Sequence, residues 1–231
     1  MSEVRTRFPL FMPSSTVENY LKTILHLEDD AECGASVGAI AEELKVTPGT
    51  VSVMMRNLAE EQLIDYVPRR SITLLPKGRD QAMQVVRRHR LIETFLVQVM
   101  KLDWSEVHEE AEVLEHVISD RLLARIDEML GHPALDPHGE PIPNEDGEYP
   151  PGVETGNLAE VDPGGYRLVR VDDTSPEFLD WIQNHDLMPG TELKLVTNDS
   201  VAGLITISTT SGKSFVQIGE KAASRIIVQP L

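Results

Sequence analysis

SVGAIAEELKVTPGTVSVMMRNLAEEQLIDYVPRRSITLL, residues 36–75, holds two short helical periods, a turn and a pair of β-type runs in unbroken succession. Ser36–Leu44 places Val37, Ile40, Ala41 and Leu44 on one side of a helix. Thr47-Pro48 then supplies a cap followed by proline at the first helical position, where its missing N–H costs nothing. The helix this opens is expected to run to about Glu61 and to bury Val51, Met54, Met55 and Leu58. Two short helices around a tight turn, the second with small polar residues outward, form a helix-turn-helix pattern. Leu63–Val67 and Ile72–Leu75 read as strands joined by Pro68-Arg69-Arg70-Ser71, a hairpin with a doubly basic tip. A helix-turn-helix followed by a basic hairpin is a winged helix.

Outward from that stretch, Thr16–Glu28 (TVENYLKTILHLE) has the 3.6-residue apolar period of an amphipathic helix capped by Ser15 or Thr16. Downstream, helices are expected over Lys77 to about Met100 and Ser105 to about Leu130, the latter with Asp103 and Glu106 as a capping box. Residues 132–165 hold seven of the fifteen prolines and have no apolar period, which predicts a linker. Beyond it, Tyr166–Val171, Thr191–Val196, Leu204–Ser208, Phe215–Gly219 and Arg225–Val228 are short β-type runs, with a helix near Pro176–His185. Short strands at this spacing predict a small barrel. The expected chain is mainly α with a β C-terminal domain. Its parts are a winged helix-turn-helix (1–76), a helical domain (77–145), a linker (146–165) and the small β-barrel (166–231).

The 231 residues are 41% hydrophobic and 26% charged, an ordinary globular balance that argues against wholesale disorder. No apolar run is long enough for a membrane span or a secretory signal, so the expectation is a cytoplasmic protein with no membrane partner. The single cysteine, Cys33, excludes an internal disulfide framework and a cysteine-rich zinc finger, so any metal must be held by oxygen and imidazole. The net charge of −17 argues, taken whole, against nucleic-acid binding. Its distribution does not: residues 66–90 carry seven bases and one acid, whereas 103–150 carry two bases and fourteen acids.

The acidic segment bears on chemistry. At about 100° per residue from His108, Glu112, Glu115 and His116 fall within an arc of about 100° that borders the stripe of Val107, Ala111, Leu114 and Ile118. His89 and Glu93, one helix earlier, are also neighbours at i and i+4. Such groups flanking an apolar stripe on two successive helices are a candidate metal site. Spacing alone leaves a second reading open, that of a solvated face with salt-bridged pairs.

VRRHRLIETFLVQVMKLDWSEVHEEAEVLEHVISD at 86–120, with ENYLKTI at 18–24, TPGTVSVMMRNL at 47–58 and DPHGEPIP at 136–143, resembles the diphtheria toxin repressor family of metal-dependent transcriptional regulators. The resemblance covers nearly the whole chain, including a C-terminal part similar to the family's SH3-like domain. It implies a helical dimerisation domain and two metal sites between that domain and the DNA-binding domain. One would use Glu112, Glu115 and His116 with Asn19 from the first helix. The other would use His89, Glu93 and His108, completed in some members from the SH3-like domain, a role for which Glu177, with Asp172 or Asp173 nearby, is the expectation. Iron-responsive members have cysteine where this chain has Glu112, and the manganese-responsive branch has a carboxylate, whose hard oxygens suit Mn²⁺. Asn19 stands where methionine or aspartate is usual, and Lys22 where some manganese regulators have glutamate.

For DNA, the outer face of the second helix of the pair offers Thr47, Gly49, Thr50, Ser52, Val53 and Arg56, small groups for close approach and one long cation. Arg69 and Arg70 at the wing tip are phosphate or minor-groove candidates. The expected function is a homodimeric repressor that binds a double-stranded DNA operator in response to Mn²⁺, with Fe²⁺ as the second candidate effector, and controls uptake of divalent manganese or iron. Zn²⁺, Co²⁺ or Cd²⁺ are expected to bind in vitro. The rivals are an enzyme with a hydrolytic or di-iron centre, and a winged-helix regulator of an organic ligand. No Glu-x-x-His pair occurs in the chain, which counts against the first.

Overall fold

A computed structural model describes residues 14–29, 35–172, 175–209 and 215–231. Cys33 and Asp173 lie outside them. The chain divides into two compact units, Met1–Val86 and Arg87–Leu231.

In the N-terminal unit, α1 (Ser15–Asp29), α2 (Val37–Glu43) and α3 (Pro48–Glu60) precede a two-stranded antiparallel hairpin of β1 (Ile64–Asp65) and β2 (Thr73–Leu74), with Ile64 opposite Leu74. The caps follow from the sequence. Ser36 Oγ accepts the Ala39 N–H at 3.1 Å and Thr47 Oγ1 accepts that of Thr50 at 3.2 Å. α1 starts one residue earlier than expected, and Ser14 rather than Ser15 or Thr16 faces its first turn, at 3.4 Å from the Val17 nitrogen. Between α2 and α3, Lys45 adopts a φ of 53° and lets the chain reverse within a few residues. Leu21, Ile24, Ile40, Val51, Met55, Leu58 and Ile72 form the core, each side chain contributing about 1.5–3 kcal/mol by leaving water. Met54 is only half-buried. Gly78, in the first turn of the next helix, lies against the wing so closely that a Cβ would meet the Leu63 carbonyl oxygen at 2.0 Å.

That helix, α4 (Pro76–Gln98), contains the division between the units. In the C-terminal unit its second half is followed by α5 (Val107–Leu114) and α6 (Asp120–Leu130), where one helix was expected from Ser105 to Leu130. The break has a local cause: Ser119 is extended, and its Oγ accepts the Leu122 N–H, so the chain recaps and restarts. The expected capping box at Asp103 does not form either. Asp103 Oδ1 accepts from the backbone N–H and the hydroxyl of Ser105, and Glu106, at the N-cap position, makes no side-chain cap.

The β region adds β3 (Gly156–Asn157), β4 (Gly164–Val171), α7 (Pro176–Asn184), β5 (Glu192–Asp199), β6 (Leu204–Thr209), β7 (Phe215–Gly219), α8 (Glu220–Ala223) and β8 (Ile226–Pro230). Its strands form one antiparallel sheet in the order β3-β8-β4-β5-β6-β7. Alternate residues such as Leu193, Leu195, Ile205, Ile207, Val216 and Ile218 face a core that α7 closes with Leu179 and Ile182. The proline-rich stretch read as a linker is not bare chain throughout. Leu135 bridges to Pro141, and Asp136, His138 and Ile142 are buried.

Candidate metal centre and nucleic-acid interface

α4 and α5 carry the ligand-type side chains at helical spacing. His89 and Glu93 are one turn apart on α4 and both buried. His108 and Glu112 are one turn apart on α5, and Glu115 closes that helix with no exposed surface. His89 lies among them. Its Nδ1 is 2.5 Å from Glu115 Oε2 and 3.7 Å from Glu112 Oε1, while its Nε2 is 2.9 Å from Glu93 Oε1 and 3.2 Å from His108 Nδ1. Two groups with metal-ligand spacing result, His89–Glu93–His108 and His89–Glu112–Glu115. The two groups share His89, which the family pattern implies for one site alone.

A third group, Glu93–Asp136–His138, was missed in the sequence. Asp136 Oδ1 accepts the backbone N–H groups of His138 (2.8 Å) and Glu140 (2.9 Å), a tight turn that brings the His138 Nδ1 to 3.7 Å from Glu93 Oε2. The signal in the sequence is Asp-Pro-His-Gly itself, an Asx turn with two ligand-type residues two apart, inside a stretch whose prolines read as a linker.

The electrostatics are those of anions crowded out of water. Burial, reinforced by the charge of Glu93, pushes the Asp136 carboxyl up to about 7 against the pull of His138 and Arg90. Burial acts the same way on Glu93, yet His89, followed by His108 and His138, holds its pKa well below the usual carboxylate range. For His138 burial disfavours the cation, but the Glu93 and Asp136 carboxylates outweigh it and raise the pKa.

The remaining expected ligands fall elsewhere. His116 Nε2 is 3.4 Å from Glu115 Oε1, outside the three groups. Asn19 belongs to the N-terminal unit, and its Oδ1 is buried with no hydrogen-bond partner among the described residues. Glu177 is exposed in the first turn of α7 and enters none of the groups, and Asp172 is engaged by Arg170 at 2.5 Å. Two bases of the basic island do not face solvent. Arg87 binds Asp127 (2.8 Å) and the Pro143 carbonyl, and Arg90 binds Glu140 (2.9 Å) and the Pro141 carbonyl, so both tie the 136–143 segment to α4.

On α3, Thr47, Gly49, Thr50, Val53 and Arg56 are exposed and Ser52 half-exposed. Thr47 caps the helix, Ser52 Oγ donates to the Pro48 carbonyl at 2.9 Å, and Arg56 Nε donates to the Ser52 carbonyl at 3.2 Å. Arg69 and Arg70 are exposed at the wing tip, where Arg69 takes a φ of 69°.

Family models match in three consecutive blocks: the N-terminal DNA-binding domain of iron dependent repressors over 12–72, their metal-binding and dimerisation domain over 75–144, and the FeoA domain over 157–230. The iron-dependent repressor IdeR of Mycobacterium tuberculosis is 35% identical over 205 residues, 85% of each chain. The diphtheria toxin repressor of Corynebacterium diphtheriae is 31% identical over 204 residues, 84% of this chain and 88% of that one. A solved manganese-dependent transcriptional repressor in complex with manganese superimposes with a TM-score of 0.87 at 38% identity, covering 93% of this chain and all of the other.

Proposed function

The chain belongs to the iron-dependent repressor family of metal-dependent, DNA-binding transcriptional regulators, and from that premise we propose that it is a homodimer, acting in the cytoplasm, that binds an operator upstream of divalent-metal uptake genes when Mn²⁺ is present. Members of this family are repressors and not enzymes, which removes the hydrolytic and di-iron readings. Metal dependence likewise displaces an organic effector.

The observation that carries Mn²⁺ is the donor set around His89. Glu93, Glu112, Glu115 and His108 surround it with oxygen and imidazole, and no sulfur stands where the iron-responsive pattern has it. Hard donors of this kind admit Mn²⁺ and Fe²⁺ alike. The likeness to IdeR favours Fe²⁺ as a second activator. Zn²⁺, Co²⁺ and Cd²⁺ would bind in vitro, since affinity at an N/O site does not by itself select Mn²⁺. The spacing of the donor atoms, all within 4.8 Å in each group, fits a single cation per group. A bound divalent ion would supply the positive charge that this buried set of carboxylates lacks.

The chain's own residues do the rest. With a cation on its Nε2 side beside Glu93 and His108, His89 would donate its Nδ1–H to Glu115. The Asp136 turn presents a carboxylate and an imidazole together, and we take Asp136 and His138, with Glu93, as a further donor group beside that of His89, Glu93 and His108. Asn19 is our choice for the donor from α1, supported by its buried amide oxygen without a partner among the described residues. His116 completes the set of Glu112 and Glu115; Glu177 has no contact in its favour. The exposed face of α3 would read base edges, with Arg69 and Arg70 on phosphates. Exposed Val117, Leu122 and Met129 on and before α6 offer apolar surface for a second copy. Gel retardation of genomic fragments with Mn²⁺, Fe²⁺, Zn²⁺ or chelator tests the reading. Retardation should need metal, and equal retardation in chelator and Mn²⁺ would overturn it.

A further inference from the structure

Trp104, between α4 and α5, is 3% exposed and belongs to the apolar core of the C-terminal sheet, with Leu158, Leu168 and Leu179. The same residue holds His138 in two ways. Its backbone carbonyl is 3.1 Å from His138 Nε2, and its indole stacks on the imidazole with ring centroids 5.0 Å apart and planes 26° from parallel. A carbonyl only accepts, so the Nε2 carries a proton and the Nδ1 is the nitrogen turned toward Glu93 Oε2, at 3.7 Å. That separation is too long for a hydrogen bond and suits two donors of one cation, which at metal–ligand distances of about 2.1 Å lie roughly 3–4.2 Å apart.

The turn bearing His138 is fixed on its other side by the same sheet. The Val171 N–H donates to the His138 carbonyl at 3.0 Å. Gly139, at φ +88°, passes so close to β4 that a Cβ would stand 2.0 Å from the Val169 carbonyl oxygen. The imidazole is therefore gripped between a core tryptophan of the β region and a strand of it, and only its Nδ1 edge is turned to the carboxylates of α4 and the Asp136 turn.

We propose that Trp104 is a positioning residue for the metal centre. It selects the Nε2–H form of His138, sets the plane of the ring, and thereby ties occupancy of the Glu93–Asp136–His138 group to the packing of the C-terminal sheet. The proposal rests on the reading that this group holds the cation. The indole N–H makes no hydrogen bond among the described residues, so the role belongs to the ring face and the carbonyl and is transferable to phenylalanine.

The test uses the full chain and Mn²⁺ alone, with binding followed by calorimetry and by the electron paramagnetic resonance signal of free Mn²⁺. Trp104→Leu, which keeps apolar bulk but removes the stack, should weaken one bound equivalent by about 10–100-fold, the usual effect of losing a group that orients a ligand. Trp104→Phe should restore affinity to within a few-fold. His138→Ala should weaken the same equivalent, and adding Trp104→Leu to it should cause no further loss of affinity while still lowering the melting temperature, a split that a purely structural tryptophan would not produce. A second readout leaves Trp104 in place. Trp104 and Trp181 are the two tryptophans, so in a Trp181→Phe protein the emission of Trp104 should change saturably with added Mn²⁺, and His138→Ala should abolish the change. If Trp104→Leu weakens Mn²⁺ equally with and without His138, or Trp104 emission ignores Mn²⁺, the proposal is overturned while the ligand reading stands. If His138→Ala keeps every equivalent at full affinity, both fall.

Discussion

On α3 of the N-terminal unit, Thr47, Ser52 and Arg56 sit at the surface with hydrogen bonds confined to their own helix, whereas in the C-terminal unit His89, Glu93, Glu115, Asp136 and His138 are buried and bonded across two helices and a turn. The first arrangement is complete as folded. Thr47, Ser52 and Arg56 each have a partner within the helix, and the exposed face is open for a ligand to add contacts. The second sets several carboxylates in a small volume out of water, beside His89, His108 and His138. A cluster of that kind is held together against its own desolvation cost, and a divalent cation changes its energy far more than it could change that of α3. The contrast follows the family models, which match a DNA-binding domain over 12–72 and a metal-binding and dimerisation domain over 75–144.

Removing His89 should break this contrast most severely, because both of its nitrogens serve ligand groups. His89→Ala is expected to lower Mn²⁺ affinity by more than the roughly 10–100-fold that follows loss of an outer partner, and to abolish metal-stimulated retardation. A variant that still shifts DNA with Mn²⁺ would show that the buried cluster is structural only. Asn19→Ala sharpens the contrast from the other side. Some metal binding should persist through the C-terminal ligands, with DNA affinity at saturating Mn²⁺ falling roughly tenfold, within the range of ordinary coupling energies. Full retardation by that protein would rule out Asn19 as the connecting donor.

The buried carboxyl also makes a pH prediction whose sign differs from that of a surface ion pair. Asp136 titrates near 7 in the fold against 3.8 in the open chain, so between those values the folded state holds a proton the unfolded state lacks, and stability falls as pH rises. His138, raised by its carboxylates, loses stabilisation in the same direction above its open-chain value. Glu93, held low, acts only below the ordinary glutamate range. The metal-free protein should therefore melt at lower temperature at about pH 8 than at about pH 5.5, with Mn²⁺ affinity rising over the same interval. A flat melting temperature across that interval would falsify the burial argument. The smallest expected effect is at the exposed wing tip. Arg69→Ala should weaken binding to all DNA sequences alike and reduce the slope of log affinity against log salt by about 0.9, and an unchanged slope would place that side chain away from phosphate.

The winged-helix stretch was legible because its information is local. Ser36 and Thr47 cap where the residue types require, Pro48 opens α3, and the apolar period points Val51, Met55 and Leu58 inward. The α4 and α5 ligands were legible for the same reason, since His89 with Glu93 and His108 with Glu112 are one helical turn apart. The break at Ser119 was less so: Leu114, Ile118 and Leu122 continue an apolar period through it, and only the serine's bond to the Leu122 N–H overrides that pattern.

By itself, then, the sequence determined the order of the winged-helix elements, the helical segments that carry the imidazoles and carboxylates, and the absence of sulfur among those side chains, because capping, periodicity and side-chain chemistry act within a few residues. Tertiary structure decided that His89 lies between Glu93 and Glu115 and so falls in two groups with metal-ligand spacing. It also decided that Asp136 and His138 join the cluster, because what brings them there is a left-handed Gly139 against β4, the Arg90 bond to the Pro141 carbonyl and the face of Trp104. Those contacts join residues tens of positions apart, and no local period in a proline-rich segment encodes them.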